Sequence, residues 1–418
     1  MKLNIPRGIV YHKVSDDIIA ILTVLYKNIE QESVVNDFEK KLAEYVGRKY
    51  SLAFPFARTA IYTALKSQNI PKGSEILMPP ITIKGILDVV LSLGLHPVFV
   101  DIDLDTLCFD LDKIQSAITP KTKAILITYL FGIVPDVGKM LDICKGSDLF
   151  VIEDFSQCLN GVYNNKKVGS FGDVGIYSAS SIKTLDTYGG GLLVCDDDKL
   201  YKKLYNFQFE LQSPSRLNLV YKIITDLVRN IATTRIAFHF IIFPLLKIVS
   251  KVKPGSVIKH TGGRDQEMIK SLPKHWFERY TSFQANIGLK YLSTIQNSDQ
   301  ERVKNVEHLK SNMPLVKFPN GTPNSTNVYW QLVAFFKNPI AMQKSMHKMG
   351  VDTSTTSLEK ISSLSGYAYH GETPNADYLY NNGLFIPAYP GLSSKDLQNI
   401  SRVVSTGVKE ENENCDNW

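Results

Sequence analysis

The stretch Val151-Ile-Glu-Asp-Phe-Ser-Gln157, with Tyr177-Ser-Ala-Ser-Ser-Ile-Lys183 and the run Gly189-Gly-Gly191 behind it, decides the fold of this 418-residue chain. An apolar run that closes on an acid reads as a buried strand carrying Asp154 to its C-terminal edge, where open α/β sheets bind ligands. Lys183 then follows on a turn of small residues. This set matches the needs of pyridoxal phosphate: an amine for a Schiff base, a carboxylate to keep the pyridine nitrogen protonated, and hydroxyl or amide donors for the phosphate. Lys183, Asp154 and Ser178 offer all three. Taken singly, Lys183 reads as a solvated lysine near a glycine turn and Asp154 as a helix N-cap acid; the ordered set favours a cofactor site.

Outward from this stretch, short apolar runs alternate with longer amphipathic ones. Glu75-Ile-Leu-Met78, Pro97-Val-Phe-Val100, Ala124-Ile-Leu-Ile-Thr128, Gly175-Ile-Tyr177 and Gly191-Leu-Leu-Val194 read as buried strands. Residues 57–66 and 83–93 have helical spacing, as does 16–47. Past Lys270 the pattern changes to a helix over 283–296, a strand over 327–336, a helix over 339–349 and a last helix over 394–405. The expectation is an α/β large domain within residues 1–265, a smaller α+β lobe over 266–408, and a polar, mobile tail at 409–418.

A hydrophobic content of 44% fits a globular protein with a large core. The five cysteines are odd in number and widely spaced, without a C-x-x-C pair, which argues against a disulfide framework, a zinc site or an iron–sulfur cluster and fits a cytoplasmic setting. Met1-Lys-Leu-Asn-Ile-Pro-Arg7 lacks the apolar core of a signal peptide. The net charge of +6 is concentrated: eight basic residues and the single acid Asp226 give 216–260 a charge of +7, so the remainder is near −1. No Walker motif and no Gly-x-Gly-x-x-Gly after a strand supports a nucleotide cofactor.

Further motifs stand in fixed order: Glu153-Asp154, Gln157, Val168-Gly-Ser-Phe-Gly-Asp173, then Ser178 five residues before Lys183. In these the chain resembles the DegT/StrS family of nucleotide-sugar aminotransferases, from about Val35 to Phe385-Ile-Pro-Ala-Tyr-Pro-Gly-Leu-Ser393. The resemblance implies fold-type I architecture, with a mostly parallel seven-stranded sheet and a smaller C-terminal domain, and a homodimer with its active site between subunits. It implies an amino acid donor, glutamate foremost, and a keto-sugar acceptor carried on a nucleotide or lipid. It assigns Lys183 as the lysine that anchors the cofactor and shuttles the proton, Asp154 as the partner of the pyridine nitrogen, and Gln157 as a contact to the cofactor's phenolic oxygen or ring.

The phosphate is expected at Phe54-Pro-Phe-Ala-Arg-Thr-Ala60, which opens a helix and so presents backbone N–H groups. Here Ala57, Arg58 and Thr59 stand where the resemblance expects Gly-Thr-Ala, losing a glycine and gaining a cation; an exposed helix-start arginine is the alternative for Arg58. Ile83 stands where an aromatic ring would stack on the cofactor, and Phe277 where an asparagine would reach the neighbouring subunit's phosphate, leaving Arg279 as the candidate for that contact. Tyr188-Gly189 replaces a usual Gly-Glu pair.

Residues 217–252 are an insertion relative to the family, with the apolar run Ile236-Ala-Phe-His-Phe-Ile-Ile-Phe-Pro-Leu-Leu246. That run is about half of the ~20 residues a spanning helix needs, and Pro244 interrupts it. Two readings stay open: an interfacial segment on the inner face of the membrane, its cations each worth on the order of 1 kcal/mol at an anionic surface, or a buried helical hairpin in the dimer. His239 reads as a packing residue. Nucleic acid is disfavoured because the cations are interleaved with Ile, Leu and Phe. The expected activity is amino transfer in cell-surface polysaccharide or amino-sugar biosynthesis. A regulatory or non-transaminating protein is the rival; the family's sugar dehydratases replace the lysine by histidine, and Lys183 is present.

Overall fold

The computed structural model describes residues 3–252, 271–356, 358–364 and 371–415. The helical pattern over 16–47 forms two helices, α1 (Val14–Tyr26) and α2 (Glu32–Val46). Between them the Asn28 side chain accepts the Glu30 N–H at 3.0 Å, a local turn that competes with helix, and Ile29 is buried. Beyond α2, Gly47 takes the left-handed conformation that ends a helix cheaply.

The strands are β1 (Tyr50–Phe54), β2 (Glu75–Met78), β3 (His96–Phe99), β4 (Thr122–Thr128), β5 (Phe150–Asp154), β6 (Val174–Ser178) and β7 (Gly191–Cys195). They lie in the order β1-β7-β6-β5-β4-β2-β3, parallel throughout except for β7, which runs antiparallel to both neighbours. The runs are apolar without alternation because both faces are covered. Ile125 and Ile127 of β4 share a core with Phe38 and Leu42 of α2. Ala124 and Leu126 share the opposite core with Ile61 of α3 (Ala57–Ser67) and Val90 of α4 (Lys84–Ser92). Truncating a fully buried side chain such as Leu126 to alanine would cost about 2–5 kcal/mol. This topology gathers the ends of β1, β5 and β6 and the start of β7 on one edge: Gly191 lies opposite both Phe54 and Ser178, and Asp154 opposite Ile176.

After α5 (Asp198–Phe209) comes the insertion: α6 (Arg216–Thr233), then a helical segment bent 65° away that includes a π turn at Phe238–Ile242 and α7 (Phe243–Val252). Pro244, expected from the sequence to interrupt the apolar run, does not break this segment. The wider π turn directly ahead of it absorbs the missing donor and the ring. Among the described residues no single helix is long and apolar enough to cross a membrane, although the bent pair passes by length and composition. His239 packs as expected, edge-on to Phe240, and accepts the Asn4 N–H at 3.1 Å. Lys253, Lys259 and the boundary at 265/266 lie outside the described residues.

The C-terminal part begins with α8 (Ser282–Leu292), opened by a reciprocal Thr281–Gln284 capping box, and α9 (Ile295–Ser311). The helix read over 283–296 thus gives way at Ser293 and Thr294 to a second, longer one. Strand β8 (Leu332–Phe335), α10 (Pro339–Lys348), β9 (Gly383–Ile386) and α11 (Ser394–Cys415) follow, with β8 and β9 antiparallel over a separate core. Helix α11 carries on through most of the expected tail, whose Lys409-Glu-Glu run consists of good helix formers.

Candidate active site

Lys183 sits at the end of a tight turn, its N–H donating to the Ser180 carbonyl at 3.1 Å behind Ile182 in the left-handed region (φ 68°). The Ile182 carbonyl accepts the Trp330 indole N–H at 2.9 Å, and the Lys183 Nζ stands 3.8 Å from the centre of a Trp330 ring. Burial pushes the amine down to about 8, against the opposing charge of Asp154. Asp154 closes β5, buried, with Oδ1 accepting the Ser156 N–H at 3.0 Å. Burial raises its carboxyl above the usual range, the Ser156 hydrogen bonds and Lys183 pulling the other way. A carboxylate so placed is stabilised by a cation arriving in the site.

Gln157 is buried, and its Oε1 accepts the N–H of Phe131, itself left-handed, at 2.7 Å; the amide NH₂ remains to donate. Ser178 ends β6, its Oγ 3.0 Å from the Ser180 hydroxyl. The Ala57 end of α3 approaches Gly191 so closely that a Cβ there would lie 2.2 Å from the Phe56 carbonyl carbon and 2.3 Å from the Ala57 nitrogen. Only glycine admits this approach. No side chain caps the helix at Phe56, which leaves its first N–H groups without a side-chain acceptor there. The structure thus brings Asp154, Gln157, Ser178 and Lys183 together with the start of α3.

The other predicted residues are placed differently. Arg58 is half-buried, its guanidinium 4.1 Å from the rings of both Phe56 and Trp276. Thr59 is buried and donates its hydroxyl to the Trp276 carbonyl at 2.6 Å. Ile83 caps α4 half-buried against the sheet core. Arg279 spans the end of α5, donating to the carbonyls of Leu211 at 2.9 Å and Phe209 at 2.6 Å. Phe277 packs edge-on to Tyr62. Glu153 accepts the N–H groups of Gly169, Phe171 and Gly172 at 2.6–2.8 Å and the Tyr129 hydroxyl, so the Val168–Asp173 motif clamps β5 in place.

Sequence reasoning missed Trp330, read only as part of a strand, and a buried network behind the Lys183 turn. Tyr188 points away from the site, fully buried, and donates to Asp17 at 2.6 Å. His12 Nε2 donates to the Asp186 carbonyl at 2.8 Å, Asn230 of α6 donates to Asp17 at 2.8 Å and to the His12 carbonyl at 2.7 Å, and Ser181 donates to Asp226 of α6. Burial lowers His12, but the charges of Asp186 and Asp17 prevail and raise it to about 9. Burial raises Asp186 to about 6. Tyr188 in place of a glycine was the one local signal.

A family model described as the DegT/DnrJ/EryC1/StrS aminotransferase family matches residues 15–218 and 275–405, leaving out most of the insertion. The spore coat polysaccharide biosynthesis protein SpsC of Bacillus subtilis is 35% identical over 170 residues, covering 41% of this chain and 44% of that protein. A GDP-perosamine synthase of Caulobacter vibrioides is 34% identical over 180 residues, 43% and 48% of the two chains. These matches therefore span less than half of each relative. Among solved structures, an aminotransferase from Psychrobacter cryohalolentis superposes with a TM-score of 0.75 at 19% identity, over 97% of this chain and 99% of that one. The E. coli GDP-4-keto-6-deoxy-D-mannose-3-dehydratase with bound hydrated PLP gives 0.74 at 21% identity, over 97% and 100%. At such identities the likeness speaks for the fold alone. With the family model matched on both sides of the insertion, the chain belongs to the DegT/DnrJ/EryC1/StrS aminotransferase family.

Proposed function

We propose that the protein is a pyridoxal-phosphate-dependent aminotransferase that moves an amino group from an amino acid, glutamate foremost, to a keto-sugar carried on a nucleotide or lipid. The observation that carries this is Lys183: a half-buried amine pushed down to about 8, at the sheet edge where the buried Asp154 ends its strand. The residues fit the cofactor. Asp154 lacks a cationic hydrogen-bond partner among the described residues, and the uncapped first turn of α3 lies against Gly191 at the same sheet edge. The cofactor, when bound, supplies the electron sink that lets a bond to the substrate's amine-bearing carbon break heterolytically.

The remaining work falls to the chain. Lys183 Nζ would hold the cofactor and, once displaced, accept and return the proton of the substrate carbon, a task suited to an amine titrating near 8. Asp154 would keep its charge by pairing with the ring nitrogen. Ser178 and the first turn of α3, with Arg58, would hold the phosphate, while Thr59 braces that turn against the Trp276 carbonyl; the Gln157 NH₂ would donate to the ring oxygen, and Ile83 would cover a ring face. Trp330 excludes water from one side of the lysine. The test is the visible absorption of protein with pyridoxal phosphate, before and after glutamate, beside Lys183→Ala. A Lys183-dependent band that glutamate bleaches supports amino transfer. A band indifferent to every amino donor points to the regulatory reading.

The setting proposed is cytoplasmic, as a homodimer that touches the inner face of the membrane through the insertion. Supporting this, α6 is apolar on two sides. Leu219 and Ile223 pack inward, while Leu217, Tyr221, Ile224, Val228 and Ile231 recur at three- and four-residue steps on the exposed side. Flotation with anionic liposomes, comparing the chain with a Tyr221→Ser/Val228→Ser variant, separates the two occupants of that stripe. Loss of flotation with the dimer intact supports lipid, and loss of the dimer supports a second subunit.

A further inference from the structure

Lys222 of α6 lies outside the segments matched by the family model, yet it turns toward the site. Its Nζ is 4.5 Å from the centre of the Phe56 ring, and a Cβ built on Gly189, in the loop after Lys183, would stand 3.5 Å from it. Arg58 lies 4.1 Å from the same Phe56 ring, and the His275 ring 5.9 Å from it. Three basic side chains from three separate parts of the chain therefore converge on the residue that caps α3, where the helix dipole adds further positive potential. Among the described residues no carboxylate comes within 4 Å of Lys222 Nζ. Glu278, the acid acting most strongly on it, is engaged at 3.4 Å by the Ser215 N–H and by the Asn218 amide.

Cations held together away from bulk water repel one another, and the arrangement is stabilised when an anion joins them. Burial lowers the Lys222 ammonium below its ordinary range, and Arg58 adds to that, against Glu278 and Asp226. His275 is lowered likewise by burial and then by Arg58 and Lys222. Gly189 (φ 107°) leaves the space beside the ammonium open, between it and Gln284.

We infer that the insertion serves the site directly, Lys222 acting with Arg58 as a binding residue for a phosphate group at the start of α3. This rests on the proposed function for the identity of the ligand, and the phosphate has two sources: the monoester of the cofactor or the diphosphate of a nucleotide-linked substrate. Isothermal titration of the full chain, Lys222→Ala and Lys222→Arg with pyridoxal phosphate, with pyridoxal and with GDP tests it. The expected result is about a tenfold weaker Kd for pyridoxal phosphate or for GDP in Lys222→Ala, largely recovered in Lys222→Arg, with pyridoxal unaffected. The arm that moves names the source. Unchanged affinity for both phosphate ligands overturns the inference, and so does an equal loss for pyridoxal, which would make Lys222 a packing residue. Because anion binding does not require the Schiff-base amine, Lys183→Ala retains the Lys222 effect, so failure of the cofactor reading and failure of this one are seen separately.

Discussion

The depressed amine of Lys183 has a measurable consequence for cofactor uptake. With a pKa of about 8, roughly a tenth of the amine is neutral at pH 7, against a few parts in ten thousand for a solvated lysine, a gain on the order of 300-fold in nucleophile. Stopped-flow rates of pyridoxal phosphate uptake by cofactor-free protein, taken from pH 6 to 10.5, should rise and level off with an inflection near 8. Asp154 works in the opposite direction, its negative charge favouring the ammonium. Asp154→Asn should therefore move the inflection to lower pH, even as it weakens retention of the cofactor. A rate still climbing log-linearly beyond pH 9 would refute the burial of the amine, and an alkaline displacement in Asp154→Asn would refute the electrostatic coupling.

The same burial acts on stability. Because the unfolded chain binds more protons than the folded one between pH 8 and 10.5, cofactor-free stability gains from Lys183 as pH rises through that window. Lys183→Met should stabilise the cofactor-free protein at pH 7 by on the order of 1–3 kcal/mol, an advantage that fades towards pH 10.5 in urea titrations. Asn230→Ala removes two hydrogen bonds from the buried Asp17 and His12 and should cost about 1–3 kcal/mol by the same assay; no loss would mean water replaces the amide. Arg279→Ala frees the Leu211 and Phe209 carbonyls at the end of α5 and should cost about 1–2 kcal/mol while leaving phosphate affinity intact. A tenfold loss of phosphate affinity without loss of stability would instead support the contact across subunits. Glu153→Ala, which strands three backbone N–H groups, should lower the midpoint of thermal unfolding by many degrees or leave no soluble protein.

What could be read from the residues was what depends on short range and strong pattern. The strand ending at Asp154 is apolar on both faces and ends at a charge, and the Ser178–Lys183 interval follows from the strand and turn that carry it. Helix α9 escaped because polar residues interrupt its inward face: Asp299, Arg302 and Asn305 are buried between Ile295 and Val306, with Arg302 donating to Asp299 at 2.6 Å and to the Tyr11 hydroxyl at 2.6 Å, which breaks the hydrophobic periodicity. Trp330 reaches Lys183 from the C-terminal part of the chain, and Arg279 turns to carbonyls rather than outward. Both are outcomes of packing that a local window does not contain.

The Ser181–Asp226 and Asn230–Asp17 hydrogen bonds bear on how this chain would be re-engineered. Residues 217–252 are spliced into the wall behind the Lys183 turn, so they do not form a detachable module. Excising them to imitate a shorter relative would open a buried carboxylate cluster next to the Lys183 turn. Grafting them onto such a relative would carry Asp226 and Asn230 without the Ser181 hydroxyl, the Asp17 carboxylate and the His12 carbonyl that pair with them. A working chimera has to exchange three segments at once: the stretch from His12 to Asp17, the loop from Ser181 to Gly189, and α6.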